Sequence, residues 1–197
     1  MRRSHPLPIA AIAFAGLVGW ARAETEPSFE GKTLSQWMAL LKEVPKDPAR
    51  ASSDWRKAPW AVGKIGVPAL PRLIEALDDS DAQVRLRAIR PIVVMGGLAS
   101  DAAPVLASHL GDVDTQVRQW SAVALGQIGP PAAGAVPRLA EALKDSEPAV
   151  RQAAAAAFGA IGSAEAIEPL REAAADPNPG VQRAVRVALQ RLQPEKP

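Results

Sequence analysis

The same set of landmarks returns about every 33 residues along most of this chain. Pro71-Arg72-Leu73, Pro104-Val105-Leu106, Pro137-Arg138-Leu139 and Pro169-Leu170-Arg171 recur at spacings of 33, 33 and 32. Behind each comes an acidic turn: Asp79-Ser80-Asp81, Asp112-Val113-Asp114, Asp145-Ser146-Glu147 and Asp176-Pro177-Asn178. Val84-Arg85, Val117-Arg118, Val150-Arg151 and Val181-Gln182 follow, and Gly96, Gly129 and Gly162 close three of the units. Several landmarks holding one register over successive intervals mark a stack of like units, each burying its apolar face against its neighbours.

Each unit reads as two helices. A proline in the first turn of helix A loses nothing by lacking an N–H. Leu73/Leu77, Leu106/Leu110 and Leu139/Leu143 stand four apart and mark one apolar face. Asp81, Asp114 and Asn178 suit the N-cap of helix B, Pro148 and Pro179 its first turn, and the closing glycines its C-terminal stop. Upstream, Trp37, Leu40 and Leu41 share a helical face, and Trp60-Ala61-Val62-Gly63-Lys64-Ile65-Gly66 aligns with Val123 to Gly129. This first, aromatic-rich unit has an enlarged loop over Pro45 to Ser53 and reads as an N-terminal cap, with Trp37 and Trp55 in its packing. Arg186 stands where Ile89, Ala122 and Ala155 stand in earlier units, as befits a terminal unit with a polar outer face. The expected architecture is all-α: an α-solenoid of about five antiparallel helix pairs over residues 31–193. Its units run roughly 31–66, 67–99, 100–132, 133–163 and 164–193, with a linker at 24–30 and a tail at 194–197.

Helix pairs of this length, with Asp six residues before Arg in Asp79/Arg85, Asp112/Arg118 and Asp145/Arg151, resemble the HEAT repeat. The ending Ala124 to Gly129 is similar to the HEAT-like repeats of phycobilisome lyases, and Gly31 to Trp37 resembles the lead-in of some exported bacterial HEAT-repeat proteins. The resemblance implies that these Asp and Arg side chains form a ladder between neighbouring repeats, broken at the end where Gln182 replaces Arg. It also implies that the B helices line a concave face. For function it points to scaffolds, adaptors and a few enzymes alike.

The N-terminus reads as a secretory signal: Arg2 and Arg3, an uncharged run from Ile9 to Trp20, then Ala21-Arg22-Ala23 with small residues at the peptidase positions. That run is too short for a membrane span, which needs about 20 residues. Cleavage after Ala23 and export to the periplasm or outside the cell are the expectation. Removing Arg2, Arg3 and Arg22 from 23 basic residues leaves 20 against 21 acidic ones, so no overall charge favours nucleic acid. With no cysteine, disulfides, zinc–thiolate sites and thiol catalysis are excluded.

Catalytic equipment is sparse. The iron-dependent hydroxylases built on such repeats use His-Glu pairs; this chain has no His-Glu dipeptide, and after processing only His109, read as an isolated surface or half-buried side chain. No nucleophile elbow or glycine-rich phosphate loop occurs. No metal and no cofactor is expected. One constellation carries a functional reading: Trp60, Arg87, Arg90 and Trp120, with Lys57 and Lys64 nearby, fall on the groove-facing columns of helices B in units one to three. Trp and Arg are the residue types that most often carry interface energy. The expected function is a non-catalytic protein-binding or scaffold module, the concave B-helix face taking a protein, a peptide or another anionic partner. A phycobilin-lyase-like enzyme or enzyme subunit is the alternative, and nucleic-acid binding through the Trp/Arg patch a third.

Overall fold

The computed structural model describes residues 25–193; residues 1–24, where a secretory signal is expected, and the tail at 194–197 lie outside the described residues. A two-stranded antiparallel hairpin, β1 (Ser28–Phe29) and β2 (Lys32–Thr33), leads into five helix pairs. The first pair is α1 (Leu34–Lys42) with α2 (Ser53–Ile65), the second α3 (Leu70–Leu77) with α4 (Ala82–Met95). Then come α5 (Ala103–Ser108) with α6 (Thr115–Ile128), α7 (Val136–Ala142) with α8 (Pro148–Ile161), and α9 (Ile167–Glu172) with α10 (Pro179–Leu192). The chain is the α-solenoid its repeats imply. The even-numbered B helices pack on one another in order, α2 on α4, α4 on α6, α6 on α8 and α8 on α10, and each A helix packs on its own B helix.

Local chemistry sets the helix ends. Asp81, Asp114 and Asn178 accept hydrogen bonds from N–H groups in the first turns of α4, α6 and α10, satisfying donors that have no intrahelical partner. Glu147 occupies the same position before α8 with no side-chain cap, and Pro148 opens that helix. Gly96, Gly129 and Gly162 follow α4, α6 and α8 with positive φ, as does Gly66 after α2. The A helices are short, and two of them, α5 and α9, tighten into 3₁₀ turns at His109–Gly111 and Ala173–Ala175.

Small side chains let the B helices approach closely. A Cβ placed on Gly159 would lie 2.9 Å from the Cα of Ala188, and one on Gly126 3.1 Å from the Cα of Ala157. Along the stack, Leu73, Leu106, Leu139 and Leu170 of α3, α5, α7 and α9 are fully buried, as are Ile89, Leu125 and Phe158 of α4, α6 and α8. The segment Ala82–Gly111 is long and apolar enough to cross a membrane by length and composition. It comprises α4, a connector that turns at Gly96 and α5, and Ile89, Ile92, Ala99 and Leu106 within it are core residues.

Residues 26–30, within the stretch expected as a linker, pack against the first two units. Leu34 N–H donates to the Pro27 carbonyl at 2.8 Å, and the indole Nε1 of the buried Trp37 donates to the Phe29 carbonyl at 2.9 Å. Glu26 accepts from Arg72 of α3 at 3.1 Å. The turn at Glu30 and Gly31 carries φ of 46° and 75°, a pairing that glycine accommodates readily.

Candidate functional site

Two sets of charged side chains run along the stack. The first joins repeats. Arg85 donates from Nε and Nη2 to both oxygens of Asp112 at 2.9 and 2.7 Å. Arg118 does the same to Asp145 at 2.7 and 3.0 Å, and Arg151 to Asp176 at 2.7 and 2.9 Å. Each Nη1 also donates to the carbonyls of its own A–B turn, Asp79 and Ser80 for Arg85. Each acceptor Asp in turn receives a backbone N–H two residues on. These bidentate pairs are largely sheltered from solvent. For Asp112 and Asp145, burial opposes ionisation, but the guanidinium and N–H hydrogen bonds outweigh it and hold both carboxyls below the usual range. For Asp176 the hydrogen bonds from Arg151 are the leading cause, and its carboxyl is held down as well.

The ladder differs from expectation at both ends. Asp79 receives no arginine; its side chain accepts the N–H of Asp81 at 3.0 Å. The arginine column holds Trp55 in the first unit, so there is no guanidinium to reach it. At the other end Asp176, not counted in the sequence reading, is the third acceptor. Gln182 keeps only the inward bond, donating to the Asp176 carbonyl at 2.8 Å.

Arg87 is the main correction. The sequence placed it on the groove; it is buried, 8% exposed, and donates to the carbonyls of Leu40, Leu41 and Trp55 at 3.2, 2.8 and 2.8 Å. Its guanidinium stacks on the Trp55 ring, 3.9 Å from the centroid. Burial, and secondarily the charge of Arg90, push its pKa down to about 10. Arg87 therefore closes the C-terminal end of α1 and ties the first unit to α4 at the one junction that has no rung. The tryptophan in the arginine column was the signal for this.

Lys57 is also spoken for, 3.4 Å from Glu30 of the hairpin. The remaining four side chains form two cation–aromatic pairs on the B-helix face. Lys64 Nζ lies 5.7 Å from the Trp60 ring centroid and the Arg90 guanidinium 5.9 Å from that of Trp120. Trp60 is 44% exposed and packs edge-on against Phe29 at 5.2 Å; Trp120 is half-buried and Arg90 and Lys64 are exposed. Neither cation has a carboxylate within salt-bridge reach among the described residues.

Two other places gather polar side chains. His109 is nearly buried, its Nδ1 3.2 Å from Asp112 and its Nε2 3.6 Å from Asp78, so it leans on the first rung. Among the described residues no three His, Asp or Glu side chains converge to hold a metal ion. A hollow of about 620 Å³ lies between α7 and α9, beside the Arg151–Asp176 rung, and a Lys144–Glu172 pair at 3.7 Å stands among its lining. Its charges are matched internally.

A sequence profile of HEAT repeats matches residues 70–136 and 103–190. No curated protein sequence matches. Among solved structures, the complex of CpcE and CpcF of phycocyanin lyase from Nostoc sp. PCC7120 is similar, with 20% identity over 79% of this chain and 96% of that one and a TM-score of 0.67. Computationally designed armadillo repeat proteins for modular peptide recognition are similar at 24% identity over 80% and 81%, with a TM-score of 0.54. Human deoxyhypusine hydroxylase is similar at 29% identity over 80% of this chain and 62% of that one, with a TM-score of 0.55. The first two likenesses speak to the fold.

Proposed function

This chain belongs to the HEAT-repeat family, and from that premise we propose that it is a non-catalytic binding or scaffold module whose B-helix face receives a protein or peptide partner. The observation that carries the reading is the pair of tryptophan–cation contacts on the B helices of units one to three, exposed Trp60 with Lys64 and half-buried Trp120 with exposed Arg90. A stacked cation and indole offer a partner apolar area and a charge at the same spot, which suits an anionic or amphipathic segment. The designed armadillo proteins named for peptide recognition lend support by analogy of fold. In this reading the protein works outside the cytoplasm, the N-terminal apolar run being its export signal.

A crosslinking pull-down from the native envelope fraction tests the proposal. Wild-type chain is compared with a Trp60→Ala, Arg90→Ala, Trp120→Ala variant, both checked for folding by circular dichroism. A partner captured by the first and lost by the second is expected, and the recovered native chain should begin near Glu24. A partner held equally by both removes the B-helix face from the site. A bound tetrapyrrole colour on the purified protein would favour the phycobilin-lyase reading instead.

A further inference from the structure

The B helices are almost free of acid. Asp54, at the start of α2, is the one carboxylate in α2, α4, α6, α8 and α10, while the A helices, turns and hairpin carry the rest of the described ones. The near-neutral total therefore hides a positive B-helix face.

That positive charge is not continuous. On the solvent-facing stripe, Lys64 and Arg90 stand on α2 and α4. At the matching positions α6 and α8 present only Gln, Val and Ala. Charge returns on α10 with Arg183 and Arg191, both exposed and without a carboxylate partner among the described residues. Between the charged ends the surface sinks into two adjoining hollows of about 360 and 230 Å³, which share Ala156 and Arg191. Glycine and alanine floor them, and a Cβ on Gly159 would lie 3.6 Å from the Cδ of Arg191, so the arginine stem crosses the trough above that glycine.

We infer that this face binds an extended acidic polypeptide segment with two charged ends and a neutral, small-residue centre, lying across the B helices from α2 and α4 to α10. This rests on the B-face reading above and specifies its partner. Three helix-to-helix steps of about 9 Å separate Arg90 from Arg183 and Arg191, a span of roughly 27 Å. An extended chain covers that in about eight residues at 3.3 Å each. The uncharged middle selects against nucleic acid, which presents a phosphate at every nucleotide and is held by a continuous basic track. The Ala and Gly floor admits a backbone with small side chains.

The test uses the full chain and fluorescein-labelled synthetic peptides read by anisotropy: two aspartates, a spacer of alternating Ser and Ala, and two aspartates. An eight-residue spacer is expected to bind at least tenfold more tightly than a two-residue spacer or a one-ended peptide. Arg183→Gln with Arg191→Gln should reduce the eight-residue peptide to the one-ended level and leave the one-ended peptide unchanged. Equal binding of all spacers, a silent Arg183/Arg191 variant, or no binding at millimolar peptide overturns the inference. Tighter binding of an oligothymidylate of matching length overturns it in favour of nucleic acid. A Trp60→Ala, Trp120→Ala variant separates the two levels. If it weakens every peptide while the Arg183/Arg191 variant is silent, the two-ended partner falls and the B-face site stands. If it too is silent, both fall.

Discussion

Arg87 and Arg90 sit three residues apart on one helix and have opposite fates. Arg90 reaches solvent over Trp120, whereas Arg87 turns inward and satisfies three carbonyls, two of them in the last turn of α1. Removing a buried donor set strands its acceptors, so Arg87→Met should cost about 3 kcal/mol in urea unfolding. Arg90→Met should stay within about 0.5 kcal/mol. Column alignment put both residues on the groove because it assumed that every unit has the same neighbour. The first unit does not: its enlarged loop brings Trp55 and the end of α1 against α4, and the column rule fails at that position. Trp60, Lys64 and Trp120 have no such inward partner, although Phe29 of the hairpin stands edge-on against Trp60. The sequence also named five of the six rung residues, with Asp79 in place of Asp176, because spacing carries no direction. Direction follows from geometry, since each arginine reaches forward to the next turn, leaving Asp79 with the Asp81 N–H in place of an arginine and enlisting Asp176.

Helix boundaries were the most legible feature at the next scale, because proline, acid caps and closing glycines write them directly into the chain. The hairpin was not legible. Ser28–Phe29 and Lys32–Thr33 are too short to show an alternating pattern, and what holds them is the Trp37 indole bond and the Phe29–Trp60 contact, both tertiary. Helix spacing was equally hidden. An alanine-rich B helix states that close packing is allowed, but not that Gly159 faces the α10 backbone at Ala188. A methyl there would stand 2.9 Å from a backbone atom of α10 and force the last pair outward. Gly159→Ala is therefore expected to lower stability by about 1–3 kcal/mol despite alanine's better helix propensity. Gly134→Ala, where a Cβ meets nothing within 4 Å, should be close to neutral. Thermal unfolding by circular dichroism distinguishes them.

Across the whole molecule, three rungs connect four units, and their carboxyls all have pKa values held below those of the unfolded chain. A depressed folded-state value means that the unfolded chain binds protons first. The rungs' contribution is then complete above a pH of about 4 and drains away as pH falls through the lower folded values. Urea midpoints should hold steady from neutral pH down to about 5 and drop steeply below about 4. Asp176→Asn should start less stable at neutral pH and show a shallower acid decline; an identical decline would remove the rungs from the account. Paired arginines shift upward and add no pH dependence in this range.

The rungs also decide how the array could lengthen. An interior unit such as residues 100–132 carries an aspartate facing backward and an arginine facing forward, Asp112 and Arg118. A second copy spliced beside the first would receive Arg85 or its own twin on one side and offer its arginine on the other, so every pair would still close. The two ends lack this property, since one supplies Trp55 and the other Gln182 where an arginine is needed. Growth by duplication is thus open at the interior units and not at the two terminal ones, and a gene built this way can change the length of its B-helix face without rebuilding either cap.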